Sequence, residues 1–198
     1  MNKYDLLITG VGGQGNILAS DIVGEAALAA GYDVKKTDTL GMAQRGGSVI
    51  SHLRIARHVN SPLIRQGDVD ILLAFEKLEA ARWIQFLKPG AVAIVNDHSL
   101  PPLSVNVGNE TYPEDQLIMD ILAQKKARVH FVEGTQKVIE LGNIRTLNIF
   151  MLGCLSVLLP IDTEVWKESI RQHLPERLVD INVTAFESGR KEIPHGNV

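Results

Sequence analysis

The chain has 198 residues, 45% of them hydrophobic and 22% charged, with a formal net charge of -3. That is long enough to bury one real core and ordinary for a globular protein. The balance excludes disordered and fibrous classes, and it offers no electrostatic case for binding nucleic acid or an anionic membrane surface. A single cysteine, Cys154, excludes an intrachain disulfide framework. It also cannot by itself hold an iron–sulfur cluster, which takes about four thiolates.

In chain order, the first residues carry no charged-then-apolar leader, since Asp5 interrupts and glycines follow. The apolar run 4–9 reads as a strand buried on both faces, ending at Gly10. A helical pattern follows over 14–30, with Ile17, Leu18, Ile22, Ala26 and Ala29 along one face and Gly31 as its stop. A second strand is predicted at 32–37, a polar glycine-rich loop at 39–47, and an alternating strand at 48–56. Buried strands are predicted at 69–74 and 91–95, separated by a helix at 76–87 and a Lys88-Pro89-Gly90 turn.

Residues 98–113 form an irregular, proline-bearing excursion with a possible short strand at 104–107. Beyond it, the pattern predicts helices at 113–124, 134–141 and 143–159 and a strand at 128–132, then helical segments at 163–173 and 175–187. The 143–159 run is apolar nearly all round, which calls for cover from a partner subunit or a homo-oligomer. It falls short of the roughly 20 residues a membrane span needs. The expectation is a soluble, cytoplasmic α/β protein: one Rossmann-like domain over 1–192, its mostly parallel sheet flanked by helices. Its C-terminal third is helical, and a disordered tail is expected at 193–198.

Two glycine patches stand out. The first, Gly10-Val11-Gly12-Gly13-Gln14-Gly15, lies between strand and helix, where backbone amides and a helix N-terminus can cradle an anion. As a dinucleotide fingerprint it would use Gly12 to admit a pyrophosphate and Asp38 to hold the ribose. As plain structure the same glycines serve only a tight βα turn. The second patch, Gly41-Met42-Ala43-Gln44-Arg45-Gly46-Gly47-Ser48, sets an arginine fork among small residues, suited to a carboxylate or phosphate. The alternative is a structural ion pair for Arg45. Strands one and two are expected side by side, which would bring both patches to one sheet edge. Candidate ligand-binding residues are therefore Gly10, Gly12, Gly13, Gln14, Gly15, Asn16, Gln44, Arg45, Gly46, Gly47 and Ser48.

Catalytic machinery is not legible. The six histidines form no metal-type spacing, no Gly-x-Ser-x-Gly elbow occurs, and Cys154 sits in an apolar run. Glu76 and Glu79 open a helix, where acids favour the helix dipole.

As an ordered set the motifs resemble a known family. To the two glycine patches are added Asn16 with Leu18-Ala19-Ser20, Ser61-Pro62-Leu63-Ile64, Phe75-Glu76-Lys77-Leu78-Glu79-Ala80, Leu87-Lys88-Pro89-Gly90 and Tyr112-Pro113. Gly142-Asn143, Asn148 with Leu152-Gly153, and Asn182 with Ala185-Phe186-Glu187 and Gly189-Arg190 complete the set. The chain resembles the small (beta) subunit of indolepyruvate ferredoxin oxidoreductases and, more broadly, the gamma module of the pyruvate and 2-oxoglutarate ferredoxin oxidoreductases.

The resemblance implies a non-catalytic subunit of an enzyme that oxidatively decarboxylates aryl pyruvates to aryl-acetyl-CoA and reduces ferredoxin. Thiamine diphosphate, magnesium and iron–sulfur clusters are then expected in a large partner subunit, and CoA as co-substrate. The single cysteine agrees, as does the lack of a Gly-Asp-Gly motif, Gly67-Asp68-Val69 failing at its third position. A gamma subunit of a pyruvate or 2-oxoglutarate enzyme is the alternative. A free-standing nucleotide-dependent oxidoreductase using Asp38 is the third reading.

Overall fold

The computed structural model describes residues 2–40, 47–101, 105, 108 and 111–194. Six strands, β1 (Tyr4–Val11), β2 (Asp33–Leu40), β3 (Ser48–Ala56), β4 (Val69–Ala74), β5 (Leu87–Asn96) and β6 (Arg128–Val132), form one sheet. Among the described residues the longer helices are α1 (Asn16–Ala29), α2 (Lys77–Trp83), α3 (Asp115–Ala123), α4 (Gly134–Glu140), α5 (Leu147–Ser156), α6 (Thr163–His173) and α7 (Glu176–Gly189). Short 3₁₀ turns at Ile84–Phe86 and Ile144–Thr146 precede β5 and α5.

The strand order is β2-β3-β1-β4-β5-β6, with β1, β4, β5 and β6 parallel and β3 antiparallel to both its neighbours. The second strand therefore does not lie beside the first. Residues 41–47 are too few for a parallel crossover, which takes a dozen or more, so β2 and β3 must pair as a hairpin. β3, carrying the buried Val49, Ile50, Leu53 and Ile55, takes the inner place against β1. β2, with Asp33, Lys35, Lys36 and Asp38, takes the edge, where charged side chains suit an unpaired strand. Because β2 runs parallel to β1 two places away, the hairpin end still reaches the edge where β1 ends.

Strand alternation builds two cores. Leu6 and Ile8 of β1, Ile71 and Leu73 of β4, and Val92 and Ile94 of β5 face α1, α5, α6 and α7. Leu7, Leu72, Ala74, Ala93 and Val95 face α2, the 3₁₀ turn after it and α3 through Ala80, Ile84, Ile118 and Leu122. The 76–87 helix of the sequence pattern ends early, because the 3₁₀ turn hands over to β5 at Leu87. That strand absorbs Lys88-Pro89-Gly90, with Gly90 at φ +81° and a register shift against β4.

The apolar 143–159 run is a 3₁₀ turn followed by α5, and all ten residues of α5 are buried by the chain itself. No partner is needed to cover it. Its closest neighbour is α7: a Cβ on Gly153 would stand 2.1 Å from the Phe186 carbonyl oxygen, and one on Gly189 would stand 1.9 Å from that of Phe150. Two glycines thus let the helices cross at backbone contact. The predicted tail begins too early. Ile193 is 3% exposed and belongs to the core, while 195–198 lie outside the described residues. So does most of the possible strand at 104–107.

Candidate functional site

β1 ends at Val11, and α1 begins at Asn16 with Gly15 as its N-cap in the left-handed conformation, φ +83°. No side chain caps this helix, and its first turn carries no acid. Its leading amides and partial positive charge are therefore open to a ligand.

The dinucleotide cradle itself is filled. Gln14 folds back so that its Oε1 accepts from the Val11 amide at 2.7 Å, while its Nε2 donates to the Phe75 carbonyl at 3.2 Å. The Gly12 amide, which a pyrophosphate would need, donates to Gly47 O at 2.8 Å. A Cβ on Gly10 would stand 2.7 Å from Gln14 Oε1 and 2.8 Å from Asn16 Oδ1, so the space beside Gly10 is taken by these two side chains. Among the described residues, both side-chain amide atoms of Asn16 are buried without a hydrogen-bond partner. Asp38 is equally committed: it accepts from Ser51 Oγ across the hairpin and pairs with Lys36 at 3.1 Å. With β3 standing between β1 and β2, Asp38 is not placed as a ribose acid beside this loop.

Of the second patch, Gln44, Arg45 and Gly46 lie outside the described residues. Gly47 and Ser48 lie against the first loop, Gly47 through its carbonyl and Ser48 paired with Val11 in register. Beneath them is a buried polar network. Ser48 Oγ donates to Glu79 Oε2, as does Thr9 Oγ1 at 3.4 Å, and Arg82 donates to Glu79 Oε1 at 2.8 Å. Glu76 caps α2 by accepting from the Glu79 amide at 2.9 Å, and its other oxygen accepts from Tyr112 Oη and from the Leu100 amide. The acids expected to serve the helix dipole do so, and they also fasten the sheet edge.

Burial pushes the Glu79 carboxyl above its ordinary 4.5, against the opposing pull of Ser48 and Arg82. An acid whose folded-state pKa is raised loses its stability contribution as pH climbs from the unfolded value through the folded one. Urea unfolding of Glu79→Gln beside the parent should therefore show the balance moving toward the variant as pH rises above 4.5. A constant difference across that range would mean Glu79 titrates normally.

His52 is packed rather than catalytic. It is 7% exposed, lies edge-on to Phe86 with 6.0 Å between ring centroids, and burial lowers its pKa. The Cys154 thiol is buried in α5, and burial raises its pKa well above the usual thiol range. Among the described residues no group of three or more His, Cys, Asp or Glu could hold a metal ion, and no helix is long and apolar enough to cross a membrane.

The open side of the glycine loop is a cleft of about 520 Å³. Gly13, Gln14 and Gly15 form one side, and His98, Leu100 and Thr135 another. Leu18 adds an apolar wall, and Ile144, Arg145, Leu147 and Asn148 close the remainder. Sequence spacing alone does not flag His98, Thr135 or Arg145, because the fold gathers them from three separate stretches of the chain. The one signal was that Gly142-Asn143 and Asn148 fell among the family blocks.

A profile of the pyruvate ferredoxin/flavodoxin oxidoreductase family matches residues 5–192. The chain is 38% identical to the Pyrococcus horikoshii indolepyruvate oxidoreductase subunit IorB over 96% of both chains. It is 26% identical to the 2-oxoglutarate synthase subunit KorC of Methanothermobacter thermautotrophicus, over 98% of this chain and 97% of that one. The fold matches the keto/oxoacid ferredoxin oxidoreductase gamma subunit of Geobacter sulfurreducens with a TM-score of 0.71 at 24% identity, covering 96% of this chain and 97% of that chain. The chain belongs to the pyruvate ferredoxin/flavodoxin oxidoreductase family.

Proposed function

We propose that this chain is the small, non-catalytic subunit of a cytoplasmic, thiamine-dependent indolepyruvate ferredoxin oxidoreductase. That enzyme converts aryl pyruvates to aryl-acetyl-CoA and passes the electrons to ferredoxin. The observation that carries the reading is its greater identity to the indolepyruvate subunit than to the 2-oxoglutarate one, 38% against 26%, each over nearly the full chain. The pyruvate and 2-oxoglutarate enzymes remain the rival substrates.

The residues present do not fit thiamine diphosphate, its magnesium or an iron–sulfur cluster. One buried thiol and no Gly-Asp-Gly motif supply neither ligands nor a diphosphate cradle. Those groups are assigned to a large partner subunit, where thiamine supplies the carbanion chemistry. This chain contributes the sheet edge built by Gly10, Gly12, Gly13, Gln14, Gly15, Asn16, Gly47 and Ser48, with Gln44, Arg45 and Gly46 as further ligand candidates on their sequence motif alone. That edge meets the partner subunit or the CoA entrance.

Co-expression with a candidate large subunit tests the assembly. The expected result is co-purification of this colourless chain with a brown, iron-containing partner. A parallel titration with NADH and NADPH should give no binding. Micromolar affinity for either would favour the nucleotide-dependent reading instead.

A further inference from the structure

We propose that the end of the sheet opposite the glycine loop is a docking surface for an acidic protein, with Arg57, Arg65, Lys126 and Arg128 as the cations that meet its carboxylates. The inference goes beyond the subunit assignment and does not depend on which 2-oxo acid is oxidised.

The net charge of -3 averages over two unlike ends of the molecule. β1, β4, β5 and β6 begin at this end, β2 begins beside them, and β3, running the other way, finishes there. Residues 1–5, 32–35, 54–70, 87–91 and 124–128, which form or flank those strand ends, carry nine lysines and arginines against four aspartates. That is a formal +5, and it leaves -8 for the rest of the chain. A separation of this size orients the molecule in the field of a charged partner and speeds their encounter.

The acids at this end mostly face inward. Asp5 is fully buried, held by Arg54 at 2.9 Å and Lys3 at 2.8 Å, and its amide donates to Asp70 Oδ2 at 2.6 Å. Asp70 is 4% exposed and pairs with Lys88. Asp33 accepts from the Val59 amide at 2.8 Å, which leaves Asp68 as the exposed acid of the four.

The cations face out. Arg57, Arg65, Lys126 and Arg128 are all exposed, and among the described residues none of their side chains makes an ion pair or a hydrogen bond. Arg57 follows β3, Arg65 precedes β4, and Lys126 and Arg128 stand at the start of β6, with the Lys126 carbonyl accepting from the Gly90 amide at 2.7 Å. Strand ends about 4.8 Å apart spread these charges over about 24 Å, the breadth of one side of a standard protein interface.

The composition favours a protein over a run of phosphates. Leu63, 62% exposed, stands two residues from Arg65, and its carbonyl accepts from Arg54 at 3.4 Å. An apolar side chain among arginines suits a protein interface, where arginine forks take carboxylates in paired bonds. Asp68 would repel a continuous phosphate backbone, whereas an acidic protein face can set a lysine opposite it.

The test titrates a fluorescent polyglutamate peptide with the full chain and follows its anisotropy. Binding is expected to saturate and to weaken about tenfold between about 50 and 200 mM salt. Arg65→Glu and Lys126→Glu, each on an exposed side chain, should each weaken it about fivefold or more. Arg177→Glu, on an exposed cation of α7, makes the same change in net charge and should leave affinity within about twofold. No saturable binding up to about 1 mM chain, or equal losses in all three variants, overturns the proposal. Tighter binding to duplex DNA or to phosphatidylserine vesicles than to the peptide overturns it as well. So does salt-sensitive self-association that Arg65→Glu abolishes, which would assign the surface to a second copy of this chain.

Discussion

Gly189→Ala is expected to destabilise the protein by about 3 kcal/mol or more, a loss of roughly 6–12 °C in Tm for a chain of this size. The new Cβ would stand 1.9 Å from the Phe150 carbonyl oxygen and 3.2 Å from the Cys154 amide nitrogen. Both obstacles are backbone of α5, so neither can swing aside as a side chain would. The whole crossing of α5 and α7 must open, and with it the cluster that contains Phe150, Cys154 and Phe186. Gly24→Ala provides the internal control. Gly24 lies inside α1, its would-be Cβ finds nothing nearer than Val34 at 3.8 Å, and the change should be neutral or stabilising by up to about 1 kcal/mol. Thermal unfolding of the two variants should move in opposite directions. Equal, small shifts would mean that the helices do not cross at backbone contact.

Asn96→Ala should cost about 3–5 kcal/mol, by loss of a buried polar junction rather than by a clash. Asn96 is fully buried at the end of β5. Its Nδ2 donates to the Phe75 carbonyl at 3.1 Å and to Thr135 Oγ1 at 2.9 Å, and its Oδ1 accepts from the Thr135 amide at 3.1 Å. One side chain thus ties the ends of β4 and β5 to the first turn of α4. Alanine leaves the Phe75 carbonyl with the Gln14 bond and the buried Thr135 amide without its acceptor. Because Thr135 also lines the cleft, the same variant should perturb the cleft's signals in a ¹⁵N spectrum. A stability change under about 1 kcal/mol would show that water replaces the junction freely.

The parts of this fold that local pattern controls were readable from the chain. β3, β4, β6 and α6 fall on their predicted spans, because alternation, continuous apolar runs and a capped amphipathic helix are local signals. The Asp162 side chain, which accepts from the Glu164 amide at 2.8 Å, is such a cap. Sheet order was not local. The short connection at 41–47 demanded a hairpin, and only three-dimensional competition for the place beside β1 put the polar strand at the edge. The same holds for cover of α5. Its composition looked excessive for a small sheet, but Gly153 and Gly189 let α7 approach until every residue of α5 is buried.

The candidate site divides in the same way. The glycines, Gln14 and Ser48 were visible as motif. That Gln14 fills the cradle the motif seemed to advertise depends on the carbonyl of Phe75, 61 residues away. His98, Thr135 and Arg145 each sit in an unremarkable local context and share a cleft only because the ends of β1 and β5 meet α4 and α5 there.

Whether this chain serves an aryl-pyruvate enzyme is measured by kcat/KM of the reconstituted pair for indolepyruvate, pyruvate and 2-oxoglutarate, with CoA and ferredoxin supplied. The predicted result is activity that requires both subunits and favours indolepyruvate by at least about tenfold, a difference of about 1.4 kcal/mol in transition-state binding. Preference for pyruvate or 2-oxoglutarate, or full activity without this chain, would contradict it.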